Sequence, residues 1–184
     1  MKALFIVDLQ NDFCPHGALP TPKGDAIIPV VNKLMSKFDF VLASKDWHPE
    51  KSVHFKKWPV HCVHDTHGAE FPSSLTVDKI DTIFLKGTDD KDDGYSAFEA
   101  SNINLADYLK KNKITALYVA GLVIEFCVKR TVMDALKHGL NTFVVKDAVE
   151  GIYQNPGDVP LAFEEMKNAG ATIIHSSEIV GGRE

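Results

Sequence analysis

The feature that most narrows the fold is a rhythm of short, unbroken apolar runs alternating with amphipathic stretches. The runs are Lys2–Val7, Phe38–Ala43, Ile80–Leu85, Ala116–Ala120, Thr142–Val145 and Thr172–Ile174. A strand with one wet face alternates polar and apolar residues. These runs do not, so both faces of each are expected to be covered. Between them, Asp25–Lys37 carries Ile27, Ile28, Val31, Leu34 and Met35 at helical spacing, and Asn104–Lys111 carries Leu105, Tyr108 and Leu109 on one face. Glu125–His138 turns Val128, Val132, Ala135 and Leu136 inward with Gly139 as its stop, and Pro160–Asn168 ends near Gly170. The pattern predicts an α/β fold, a parallel six-stranded sheet with helices on both faces.

A chain of 184 residues suits a single domain, 1–184, and no linker, internal repeat or low-complexity segment divides it. In such sheets ligands bind beyond the carboxyl ends of the strands. That rule gathers residues distant in sequence onto one edge. Asp8 follows the first strand, Asp46 and His48 the second, Lys86 the third, and Gly121–Cys127 the fourth. Two stretches, Lys45–Asp78 and Gly87–Ser101, break the rhythm, and long loops inside a compact domain are usually functional.

Charge excludes some partners. The net charge of −5, with no lysine-rich or arginine-rich face, argues against nucleic acid or anionic lipid. The apolar run Ala3–Val7 is cut by Asp8, Gln10, Asn11 and Asp12, which is not a signal peptide, and Ala116–Ile124 is too short to span a bilayer. A soluble, cytoplasmic protein without membrane contact is expected, as a monomer or small homo-oligomer. The three cysteines, Cys14, Cys62 and Cys127, are widely spaced and form no CxxC pair. They give no disulfide framework, so each is either a small core residue or a reactive thiol.

Cys127 lies in "GLVIEFCVKRTVMDAL", at a strand-to-helix junction. Unpaired N–H groups of a first helical turn can stabilise a thiolate or hold an oxyanion; a core cysteine beneath the helix is the alternative. Asp8 and Lys86 each put a charge where a buried strand ends. Beside Cys127 they would make a carboxylate, a cation and a thiol, a cysteine nucleophile with its activators. Away from it they would be a structural ion pair. Asp46 and His48, two residues apart, are candidate metal ligands, with His61 as a third and His54, His64 and His67 as competitors. Phe13, Trp47, Trp58, Tyr95, Phe98 and Phe126 surround these loops, and a few of them lining a slot would suit a flat aromatic ligand. "GTDDKDDG", residues 87–94, reads as a solvated acidic turn. There is no Walker A loop and no GxGxxG to cradle nucleotide phosphates.

Taken in order, "FIVDLQNDFC", "SKDWHP", "WPVHCV", "LKGTDDKDDGYSAFEA" and "GLVIEFCVKRTVMDAL" resemble the nicotinamidases of the isochorismatase-like hydrolase superfamily. The likeness extends over nearly the whole chain. The resemblance implies an isochorismatase-like fold and hydrolysis of nicotinamide or pyrazinamide, in NAD salvage. It implies Asp8, Lys86 and Cys127 as catalytic residues, and Asp46, His48 and His61, with His54 as a possible fourth, as ligands of one divalent ion: Zn2+, Fe2+ or Mn2+. It also implies a cis peptide at Leu122–Val123, N–H groups of Val123 and Cys127 facing an oxyanion, and a ring slot lined by Phe13, Leu19, Trp58 and Tyr95. Phe126 replaces the polar residue that several family members carry before the nucleophile. Two rivals stand beside this reading: a related cysteine amidase acting on a carbamoyl or ureido compound, and a non-catalytic metal-binding protein.

Overall fold

The computed structural model describes residues 1–181; the last residues of the expected domain, 182–184, lie outside them. Its strands are β1 (Lys2–Val7), β2 (Phe40–Asp46), β3 (Thr82–Lys86), β4 (Ala116–Leu122), β5 (Asn141–Glu150) and β6 (Thr172–Ile174). Its α-helices are α1 (Ile28–Met35), α2 (Leu105–Lys111), α3 (Lys129–Lys137), α4 (Asp158–Asn168) and α5 (Ser176–Val180). The strands form one sheet in the order β3-β2-β1-β4-β5-β6, and every pairing is parallel. The unbroken apolar runs now have their reason. In central β1, Phe5 and Val7 face one core with α2, α3 and α4, whereas Leu4 and Ile6 face a second core with α1. Period-two side-chain alternation therefore buries both faces.

Several boundaries differ from the sequence expectation. The stretch 25–37 opens as a 3-10 turn, Gly24–Ile27, and the α-helix begins only at Ile28 with Pro29 in its first turn, where a missing N–H does no harm. The stretch 125–138 opens as a π-helical turn, Ile124–Val128, before α3. β2 and β3 run further than the apolar pattern indicates: Asp46 and Lys86 are their last residues and lie opposite one another in register. Charged side chains hid these strand ends, because the ion pair that stabilises them is formed across the sheet and not along the chain. The long loops hold short 3-10 turns, at Val53–Lys56, His67–Ala69, Val77–Lys79 and Ala97–Glu99, and an isolated parallel bridge between His48 and Val63.

Candidate active site

β1 lies between β2 and β4, so the residue that leaves it, Asp8, is delivered between Asp46 on one side and the turn carrying Cys127 on the other. Asp8, in a left-handed conformation (φ 44°), and Lys86 are fully buried. The Lys86 ammonium collects the cluster. Its Nζ is 2.8 Å from Asp8 Oδ2, donates to Asp46 Oδ1 and to the Gly94 carbonyl (2.6 Å), and lies 3.5 Å from Cys127 Sγ. Ser44 donates to Asp8 Oδ1 at 2.7 Å. The three residues expected at this edge are therefore one contact group.

Electrostatics divides the two carboxylates. Burial pushes the Asp8 carboxyl from 3.8 up to about 6; Lys86 opposes that rise and Asp46 adds to it. Burial acts on Asp46 in the same sense, but Lys86 and the neighbouring imidazoles outweigh it and hold Asp46 well below the usual carboxylate range. Burial would lower the Lys86 pKa; the two carboxylates raise it well above the ordinary lysine value. Asp46 is thus a permanent anion, while Asp8 is poised to take and return a proton near neutrality. Burial also raises the Cys127 thiol, despite the opposing field of Lys86. The direction of that shift favours the protonated thiol.

Three imidazoles stand at the other end. His48 Nδ1 is 2.9 Å from the Gly87 carbonyl, His61 Nδ1 is 2.6 Å from the Pro59 carbonyl, and His54 Nδ1 is 3.2 Å from Asp92 Oδ1. Each outer nitrogen is therefore tied to an oxygen, which fixes the tautomer and leaves Nε2 as the free lone pair. Ligand atoms of His48, His54 and His61 fall within 4.8 Å of one another, and Asp46 Oδ2 lies 3.6 Å from His48 Nε2 and 3.8 Å from His61 Nε2. Buried His48 Nε2 has no hydrogen-bond partner. A buried orphan acceptor beside an anion and two more imidazoles fits a divalent cation in both donor type and charge. His54 joins this group, whereas His64 pairs with Asp65 at the surface and His67 lies in an exposed turn.

Gln10 was missed in the sequence. Its side-chain carbonyl accepts the Asp46 N–H (2.9 Å), and its NH2 donates to the carbonyls of Asp46 (2.7 Å) and Ala69 (2.9 Å), so it clamps the metal-loop carboxylate through the backbone. The acidic turn is not merely solvated. Asp90 accepts the Val53 N–H, and Asp92 contacts His54, Lys57 and the Tyr95 hydroxyl. The charge run hid these contacts because their partners lie in the other long loop.

Beside these groups lies a slot of about 380 Å³ including its open mouth. Phe13, Leu19, Trp58, Tyr95 and Phe126 all line it, along with Asp46, His54, His61, Val123 and Cys127. Phe126 meets Trp58 edge-on at 4.9 Å, and Trp58 Nε1 donates to Tyr95 Oη at 3.0 Å, so the aromatic walls brace one another. Trp47 and Phe98 lie elsewhere, against Lys45 and His138. The sequence reading missed Ile152, which enters the slot from the segment after β5. The Leu122–Val123 peptide is cis, as the resemblance implied. The Val123 carbonyl accepts from Phe126 N–H (3.2 Å) and Val128 N–H (3.1 Å), passing over the N–H of Cys127.

A parallel sheet whose edge joins a carboxylate, an ammonium and a thiol defines an amide-hydrolase type of α/β protein, and the comparisons agree. The chain belongs to the isochorismatase-domain family, whose model matches residues 2–178. It is 38% identical to the nicotinamidase of Escherichia coli (strain K12), over 94% of this chain and 93% of that protein. A solved nicotinamidase/pyrazinamidase from Acinetobacter baumanii superposes with a TM-score of 0.91 at 34% identity, covering 97% of each chain. The pyrazinamidase of Pyrococcus horikoshii, solved with zinc, gives 0.85 at 43% identity, covering 95% of this chain and 98% of that one.

Proposed function

We propose that this protein is a nicotinamidase, hydrolysing nicotinamide to nicotinate and ammonia and also accepting pyrazinamide, with residues 1–184 acting as one catalytic domain. The observation that carries this reading is an aromatic-walled slot lined at once by Cys127, which Lys86 joins to Asp8, and by Asp46, His54 and His61 of the imidazole–carboxylate group.

Asp8 accepts the proton of Cys127, while Lys86 stabilises the thiolate that forms. The thiolate attacks the carboxamide carbon. The N–H groups of Val123 and Cys127 hold the oxyanion, an effect worth about 3 kcal/mol per donor in other hydrolases. Asp8 then protonates the departing ammonia, leaving a thioester. Water enters, Asp8 takes its proton, and the collapsing intermediate releases nicotinate and returns the thiol. Asp46, His48, His61 and His54 would hold one divalent ion, with Zn2+ best suited to the donor set and Fe2+ or Mn2+ compatible. Bound there, such an ion would supply a Lewis acid for the pyridine nitrogen, helping to orient the ring and to draw electron density from the carboxamide. Trp58, Tyr95, Phe13, Leu19 and Phe126 sandwich the ring.

No helix among the described residues is long and apolar enough to cross a membrane. We place this activity in cytoplasmic NAD salvage, in a monomer or small homo-oligomer, and the net charge of −5 fits a small-molecule substrate better than nucleic acid. The test is ammonia release across a panel of small amides, with metal analysis of the same sample. Nicotinamide and pyrazinamide turnover with a bound divalent ion is expected. Turnover of only carbamoyl or ureido compounds would favour the related amidase, and bound metal without any turnover would favour the non-catalytic rival.

A further inference from the structure

Glu125 takes no part in the chemistry above, yet it is only 7% exposed. A buried carboxylate is unfavourable unless its oxygens are satisfied. Here the partners are main-chain groups of one short segment: Oε2 accepts the N–H of Ile152 at 3.1 Å and Oε1 accepts the N–H of Tyr153 at 2.7 Å. One carboxylate forking two consecutive N–H groups fixes the orientation of that segment. The approach is close. A Cβ on Gly151 would come within 2.8 and 2.9 Å of the Glu125 oxygens and 2.4 Å of Val159 Cγ2, and Tyr153 is held in the left-handed region at φ 55°. A side chain at 151 would therefore press on both the Glu125 carboxylate and Val159.

The clamped segment carries Ile152 into the slot. Glu125 itself sits on the π-helical turn, next to Phe126 and two residues before Cys127, both of which line the same slot. We infer that Glu125 is a positioning residue for specificity: it staples the segment after β5 to the nucleophile's turn, and so sets the separation of Ile152 from Phe126 and Cys127. Through that wall it governs how tightly a flat aromatic amide is held and how bulky a ring substituent is admitted. The substrate named here rests on the nicotinamidase reading; the staple does not.

Glu125→Gln preserves size but replaces one acceptor oxygen with an NH2 group that cannot accept an amide proton. The expected result is a KM for nicotinamide raised about 10-fold with kcat within about two-fold, in line with loss of a charge-assisted hydrogen bond. Discrimination against ring-substituted nicotinamides should relax in parallel. Ile152→Ala should raise KM similarly, and the double variant should be no worse than the weaker single variant, because both act through one wall. A fall in kcat with KM unchanged, or effects that multiply, overturns the inference. If Glu125→Gln fails to fold, Gly151→Ala strains the same joint from the other side and is held to the same KM outcome. A substrate-free readout separates this inference from the functional reading: the ratio of Cys127 alkylation by a bulky maleimide to that by iodoacetamide, followed by mass spectrometry. A ratio that rises in Glu125→Gln while wild type leaves nicotinamide intact would sustain the staple and reject the substrate. An unchanged ratio and KM in an enzyme that turns nicotinamide over would reject the staple alone.

Discussion

Asp8→Asn should destroy activity and stabilise the fold. Asn keeps the shape of the protonated carboxyl, can still accept from Ser44, and leaves Lys86 paired with Asp46. It cannot take a proton from Cys127, so turnover should fall by roughly 10³-fold or more, within the range for losing a general base. Stability moves the other way. The folded protein holds the Asp8 proton up to about pH 6, against 3.8 for an unperturbed carboxyl, so the fold prefers the neutral form. That preference subtracts from stability as pH rises from about 4 to about 6, and at 1.36 kcal/mol per pH unit the loss is complete, at about 3 kcal/mol, by neutrality. Asn removes the charge and with it the loss. Urea unfolding of chelator-treated protein should therefore show Asp8→Asn more stable than wild type by up to about 3 kcal/mol at pH 7.5, with the advantage shrinking as pH falls toward 4. In metal-loaded wild type, kcat/KM should decline on the acid side as Asp8 becomes protonated. A variant less stable than wild type at pH 7.5, or one within about 10-fold of wild-type turnover, would refute the reasoning.

Cys127→Ala should abolish turnover while the protein stays folded and binds nicotinamide, whereas Cys14→Ala and Cys62→Ala should keep substantial activity; an ammonia assay with ligand-binding calorimetry distinguishes them. His48→Ala and His61→Ala should lose stoichiometric divalent metal by elemental analysis, and His54→Ala should lose it partly; a fully active metal-free preparation contradicts this. Asp92→Asn weakens the hold on His54 Nδ1 and should lower metal affinity in a competition titration with a chromogenic chelator, with unchanged affinity counting against it. Benzamide, which fits the slot but offers no ring nitrogen, should be hydrolysed at least ~100-fold less efficiently than nicotinamide, the ratio expected for an unreplaced polar contact. Comparable kcat/KM values would remove the orienting role from the metal end while leaving the cysteine chemistry intact.

What could be read from the chain followed from which interactions are local. Six strands and their parallel arrangement were visible because burial on both faces leaves an unbroken apolar run, as in β1. The site's edge was visible because charges cluster where those runs stop. The last residues of β2 and β3 were lost for the same reason: Asp46 and Lys86 read as loop residues until each is seen across from the other. Gln10, Ser44 and Glu125 were invisible in role, since Gln10 and Glu125 act on backbone groups 36 and more than 25 residues away and Ser44 on a side chain across the sheet. Asp92 was obscured by its acidic neighbours, a pattern that normally signals solvation. Nothing local marks such residues; only the topology that brings their partners near does.

The Asp46–Lys86 alignment also governs assembly of the sheet. β3 is an edge strand of five residues, hydrogen-bonded only to β2, and such strands are prone to slip. A slip of one residue would turn Lys86 to the opposite face and leave Asp8 and Asp46 enclosed without a cation. Stripping a partner from one buried ion pair costs about 3–5 kcal/mol, and this slip orphans two carboxylates at once. The charges placed for chemistry thus act as a lock on strand registry: a misaligned edge is penalised most heavily at the one position where the correct alignment assembles the site.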